Sequence, residues 1–93
     1  MKVKVKAYAS LRESLGSGEM EVDLPGGEEA TLEKLVEKIE REGGRKLEEK
    51  IFGEDGKVKP DVIVLVNGKT VNSKRFKIGN GDMVIFMPPV SGG

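Results

Sequence analysis

The chain has no cysteine, no histidine and no tryptophan among its 93 residues, and aromatic side chains make up only 4%. Without Cys or His it has no thiol nucleophile, no disulfide and no zinc site of the usual Cys/His kind. It also lacks the one side chain that ordinarily titrates near neutral pH. Neither sign of charge is in excess, with 16 Lys and Arg against 16 Asp and Glu. A nucleic-acid module normally carries a clear basic excess, so nucleic acid is not an expected partner. No run of about 18 apolar residues occurs, and no membrane-spanning helix is expected. The start, Met1-Lys2-Val3-Lys4-Val5-Lys6, alternates charge too finely for the apolar core of a signal peptide. The expected address is the cytoplasm, and these absences together argue against an autonomous enzyme.

The length suits one small domain. Twelve Lys and twelve Glu beside few Asn and no Gln give the composition a hyperthermophile tendency. Charge is also segregated along the chain. Lys2 to Arg12 holds four positive and no negative side chains, Glu13 to Glu33 holds seven negative and no positive, and Lys69 to Lys77 holds four positive. Patches of opposite sign can hold elements together or steer a partner.

Periodicity places the elements. Lys2–Tyr8 alternates, with Val3, Val5 and Ala7 on one face, which predicts a half-buried strand. Ser10–Gly16 reads as a loop with room for a helical turn through Leu11 and Leu15. Glu19–Leu24 alternates again, with Met20, Val22 and Leu24 inward, and Pro25-Gly26-Gly27 ends it. Thr31 can cap a helix whose apolar stripe is Leu32, Leu35, Val36 and Ile39, and Gly43-Gly44 stops it. Arg45–Phe52 predicts a short second helix or turn covering one end of the core. Gly53–Pro60 is a polar loop. Asp61–Val66 is a nearly continuous apolar run, which predicts a strand buried on both faces. Asn67-Gly68 predicts a tight hairpin into Lys69–Val71, because both residues tolerate positive φ. Gly79-Asn80-Gly81-Asp82 turns the chain into a last strand, Met83–Met87, which Pro88-Pro89 ends.

Two strands, a helix and three further strands predict an α+β fold of the β-grasp, ubiquitin-like kind. It would have a mixed five-stranded sheet and one main helix on one face, with a domain over residues 1–87 and a free tail over 88–93.

Inside the domain no motif carries chemistry. Gly79-x-Gly81 lacks a third spaced glycine and a following helix, so it reads as a turn. Glu54, Asp55 and Asp61 lack the spacing of a calcium loop, and the other carboxylates are scattered. No metal and no tightly bound cofactor or nucleotide is expected. The tail differs. Two terminal glycines arise by chance with a probability of about 0.5% at ordinary glycine usage. Termini often fray, but here diproline forms a stiff extended spacer ahead of Val90-Ser91-Gly92-Gly93. Two residues without Cβ let a main chain enter a very narrow passage. What such a tail delivers is its own terminal carboxylate.

Met83–Gly93, reading MVIFMPPVSGG behind Gly81-Asp82, resembles the C-terminus of the MoaD/ThiS sulfur carriers, and within them the small subunits of molybdopterin synthase. Ala9-Ser10-Leu11-Arg12-Glu13 resembles that family's loop after the first strand, and Val66-Asn67-Gly68 its hairpin. Extra length around Gly53–Lys59 departs from the pattern. The resemblance implies a carrier, not a catalyst. An adenylating enzyme of the ubiquitin-activating type would use ATP to activate the carboxylate of Gly93, with Gly92 its necessary neighbour. A sulfur donor, such as a cysteine desulfurase or a rhodanese-like protein, would convert it to a thiocarboxylate. The large subunit of molybdopterin synthase would then use that sulfur on a pterin precursor. The alternatives are a ubiquitin-like modifier joined to target lysines through Gly93, and a sulfur donor for tRNA thiolation.

Alternation also predicts a docking surface. If Val84 and Phe86 share the helix-facing side with Val3 and Val5, then Tyr8, Ile85 and Met87 gather on the open face. Beside the tail residues Pro88, Pro89, Val90 and Ser91 they would form a partner site, in which methionine adapts to more than one partner.

Overall fold

In the computed structural model, which describes residues 1–27, 30–43 and 46–89, the chain begins with β1 (Lys2–Ala7), α1 (Ser10–Leu15) and β2 (Glu19–Asp23). It continues through α2 (Leu32–Arg41), α3 (Leu47–Ile51), β3 (Ile63–Val66), β4 (Lys69–Val71) and β5 (Met83–Met87). The strands form one mixed sheet in the order β2-β1-β5-β3-β4. β1 and β5 are parallel neighbours at its centre, and the other three pairings are antiparallel. This is the β-grasp arrangement expected from the element order. Among the described residues no helix is long and apolar enough to cross a membrane.

The core lies between the sheet and α2. Val3, Val5, Val64, Val84 and Phe86 present one sheet face, Leu32, Leu35, Val36 and Ile39 form the helix stripe, and all are buried. Thr31 caps α2 as its sequence predicts, its Oγ1 accepting from the Lys34 amide at 3.3 Å. Leu47, Ile51 and Phe52 close one end of the core, and Leu11 and Leu15 of α1 close another. The turn expected within Ser10–Gly16 is thus a six-residue helix.

β3 departs from expectation. Val64 and Val66 are buried, but Ile63 and Leu65 are only half-buried, so the strand is not covered on both faces. The helices lie on one side of the sheet only, and an apolar run therefore leaves every second residue toward the other side. The loop between α3 and β3 folds back on itself. Lys57 and Val58 bridge to Ser73 and Phe52, and the Gly53 amide donates to the Lys57 carbonyl at 2.9 Å.

The segregated charges pair across the structure. In register Lys2, Lys4 and Lys6 of β1 face Asp23, Glu21 and Glu19 of β2, and the Lys2 ammonium reaches Glu21 diagonally at 3.5 Å. Lys74, in the last basic stretch, lies 3.0 Å from Glu33 at the start of α2. Exposed and half-buried surface pairs of this kind each contribute about 0.2–1 kcal/mol, so they refine the pairing of elements that burial already selects.

Asn67 and Gly68 both take positive φ, at 51° and 84°, as the tight turn requires. The Asn67 side chain also ties this turn to β5. Its Nδ2 donates to Asp82 Oδ1 at 2.9 Å and its Oδ1 accepts from the Met83 amide at 3.0 Å. Asn67→Gly keeps the φ and loses both bonds, whereas Asn67→Ala loses the bonds and strains the backbone. The alanine variant should cost about 2–3 kcal/mol and the glycine variant about 1 kcal/mol less, as read by chemical denaturation.

Candidate functional site

β5 is hydrogen-bonded on both sides, to β1 and β3, and it ends at Met87 with the tail following. Pro88 is half-buried and Pro89 exposed. A strand fixed along both edges makes a rigid base for whatever it projects. Val90, Ser91, Gly92 and Gly93, on which the sequence reading places the reactive end, lie outside the described residues.

The facing expected for β5 holds. Val84 and Phe86 are fully buried on the helix-covered face of the sheet, while Met83, Ile85 and Met87 are half-buried on the opposite face. Ile63 pairs with Met87 and Leu65 with Ile85, so β3 and β5 together make one apolar strip on the open side of the sheet. Lys4 and Lys6 of β1 flank it next to Met83 and Ile85, and Thr70 of β4 lies beside Leu65. Tyr8, 47% exposed, follows β1 and continues its ladder, its amide donating to the Phe86 carbonyl at 3.0 Å. Tyr8 thus stands at the end of the strip from which the tail leaves. Sequence reasoning brought Tyr8, Ile85 and Met87 together but missed Ile63 and Leu65. A strand expected to be buried on both faces offers no open-face residues. The signal that could have found them is the alternation Ile63-Val64-Leu65-Val66 itself, read with a single helical layer in mind.

Polar groups on the other side of the molecule also meet. One carboxylate oxygen from each of Glu33, Glu37 and Glu48 falls within 4.8 Å of the others, a cluster that spacing alone does not show because Glu48 comes from α3. Two of the three already have cationic partners, Lys74 on Glu33 at 3.0 Å and Lys34 on Glu37 at 3.6 Å. The cluster thus reads as a compensated joint between α2, α3 and the loop after β4.

A family model described as the ThiS family matches residues 5–93. A chain of Archaeoglobus fulgidus named as a sulfur carrier protein is 31% identical over 96 residues, covering all of both chains. Small archaeal modifier protein 3 of Haloferax volcanii is 32% identical over 102 residues, again covering all of both. Among solved structures, one from Pyrococcus furiosus named as subunit 1 of a molybdopterin converting factor is 40% identical. It superposes with a TM-score of 0.75 over 97% of this chain and 99% of that one.

Proposed function

Because the chain belongs to the ThiS family of small sulfur carriers and ubiquitin-like modifiers, we propose that it carries sulfur on the carboxyl group of Gly93 for molybdopterin synthesis. Small sulfur carriers of this family are generally not catalysts themselves and work with activating enzymes and partner subunits. The observation that carries the reading is the placement of Pro88 and Pro89 directly after the central strand β5, ahead of Val90-Ser91-Gly92-Gly93. A stiff spacer on a rigid base extends a main chain that ends without side chains into a partner's narrow active site.

The chemistry follows from what a carboxylate lacks. It is a poor acyl electrophile, so one of its oxygens first attacks the α-phosphorus of ATP on the activating enzyme and expels pyrophosphate. A hydrosulfide equivalent from the sulfur donor then attacks the acyl carbon. AMP leaves with the original oxygen, a proton is released, and a thiocarboxylate remains. The thiocarboxylate sulfur is a nucleophile toward a pterin precursor held by the large synthase subunit. This chain need hold neither the nucleotide nor a metal. The 40% identical P. furiosus chain, named for molybdopterin conversion, supports the pterin acceptor. The modifier reading, in which Gly93 is joined to target lysines, is favoured by the kinship to small archaeal modifier protein 3. The test is to load Gly93 with sulfur and offer the host's large synthase subunit and pterin precursor. Formation of the dithiolene supports the first reading, and a ladder of lysine conjugates without dithiolene supports the second.

The docking part of this proposal assigns the open apolar strip and Tyr8 to those partners. Met87→Glu places a charge on the half-buried strip next to the tail while leaving the α2-facing core intact. Affinity for the activating enzyme and the large subunit, read by titration calorimetry, should fall by about 1–3 kcal/mol, with little change in thermal stability. A variant that folds and binds normally would move the docking surface elsewhere.

A further inference from the structure

Three lysines border a groove at the root of the tail, and their charges are left available. The groove, about 380 Å³, is lined by Lys46, Lys50 and Lys59 and has Pro88 and Ser14 in its walls. Ser14 is the single buried polar residue among the described residues, 2% exposed. Its hydroxyl accepts from the Lys50 ammonium at 2.9 Å. A neutral hydroxyl held in the core thus fixes the position of a cation without neutralising it, and two of the three ammonium donors remain for another acceptor.

Four of the nine lysines outside the groove pair with acids. Lys2, Lys34, Lys38 and Lys74 each lie within 4.0 Å of a carboxylate. Among the described residues Lys46, Lys50 and Lys59 do not, nor do Lys4, Lys6, Lys57, Lys69 and Lys77, and what sets the three apart is that they gather at one groove beside Pro88. The groove also contains Glu49 and Asp61, so its lining holds three positive and two negative groups. An acidic protein segment can set its carboxylates against individual ammonium groups.

From these features we infer that the groove receives an acidic segment, rich in Asp or Glu side chains, of the activating enzyme at the mouth of the passage that takes in the tail. The inference rests on the reading of Gly93 as the group activated there. Pro88 belongs both to the tail and to the groove wall, so a protein that encloses the tail must also come to lie over these lysines. Charges at the edge of such a contact act mainly by guiding encounter, and salt screens them.

The test is adenylation kinetics of the full chain with its host's activating enzyme, read by ATP–pyrophosphate exchange at low and at high ionic strength. Lys46→Gln/Lys59→Gln removes two charges from the groove and keeps most of each side chain. Lys34→Gln/Lys38→Gln removes two charges from α2, outside the groove. At low salt the groove variant should raise KM about tenfold with kcat unchanged, the α2 variant should stay within about twofold, and high salt should close the gap. The single variants are measured alongside, with thermal melts of each, so that a folding defect in one does not decide the result. An unchanged KM in the groove variants overturns the inference and leaves sulfur carriage standing. An equal rise in the α2 variant also overturns it, in favour of net charge alone. A lowered KM overturns it too, because the groove would then be holding this chain's own terminal carboxylate. If the wild-type chain is not adenylated at all, the carrier reading fails and this inference fails with it.

Discussion

A chain ending at Gly92 is expected to fold like the full-length protein and to accept no sulfur. The core described above is assembled from residues 3–86, so removing Gly93 takes nothing from it, and thermal unfolding should be unchanged. Activation, however, needs a free carboxylate at the end of a chain whose last two residues lack Cβ. After truncation the carboxylate belongs to Gly92, one residue short, and the preceding residue is Ser91. One residue of extended chain spans about 3.3–3.6 Å, more than the roughly 1 Å misplacement that already costs about a hundredfold at a reacting centre. One residue added after Gly93 should inactivate as completely, since Gly93's carboxylate becomes an amide and the new terminal carboxylate lies one residue too far out. Both variants are checked by intact mass after incubation with the activating enzyme, ATP and a sulfur donor. Thiocarboxylate on either would remove Gly93 from its assigned role.

Phe86→Ala should be the most destabilising single substitution in β5. Phe86 is fully buried, sits on the central strand, and pairs with Ala7 on one side and Val64 on the other. Truncating a buried phenylalanine costs about 3–5 kcal/mol, the lost transfer energy plus the cavity left behind. In a domain of this size that lowers Tm by about 15–30 °C. Ile85→Ala, one residue away on the half-buried face, should cost about 1 kcal/mol and act on partner binding instead. A differential scanning experiment on the pair tests the facing of the strand that carries the tail. Equal losses would mean that both faces of β5 are covered.

Much of this was legible because it is local. Alternation in Lys2–Ala7 and Met83–Met87, the stripe Leu32-Leu35-Val36-Ile39, and the Asn67-Gly68 turn each depend on neighbours within a few residues, and all form as expected. The reading of the tail rests on something else, its unusual composition and its resemblance to known carriers, and Val90, Ser91, Gly92 and Gly93 lie outside the described residues. Features that depend on distant segments were not legible. The openness of Ile63 and Leu65 follows from the absence of a helical layer on that side of β3, a property of the whole sheet. The segregated charges left two roles open until the register set Lys2, Lys4 and Lys6 against β2. The groove at Pro88 joins residues from α1, α3, the loop before β3 and the tail, and Ser14 in an apparently polar loop gave no sign of being buried.

Carriage of sulfur on the terminal carboxyl is tested most directly by the intact mass of the wild-type chain after reaction with its host's activating enzyme, ATP and a sulfur donor. A gain equal to one sulfur in place of one oxygen, localised to Gly93 by fragmentation and absent without ATP, is the expected result. An unchanged mass from a chain whose activating enzyme is demonstrably active on another carrier would contradict it.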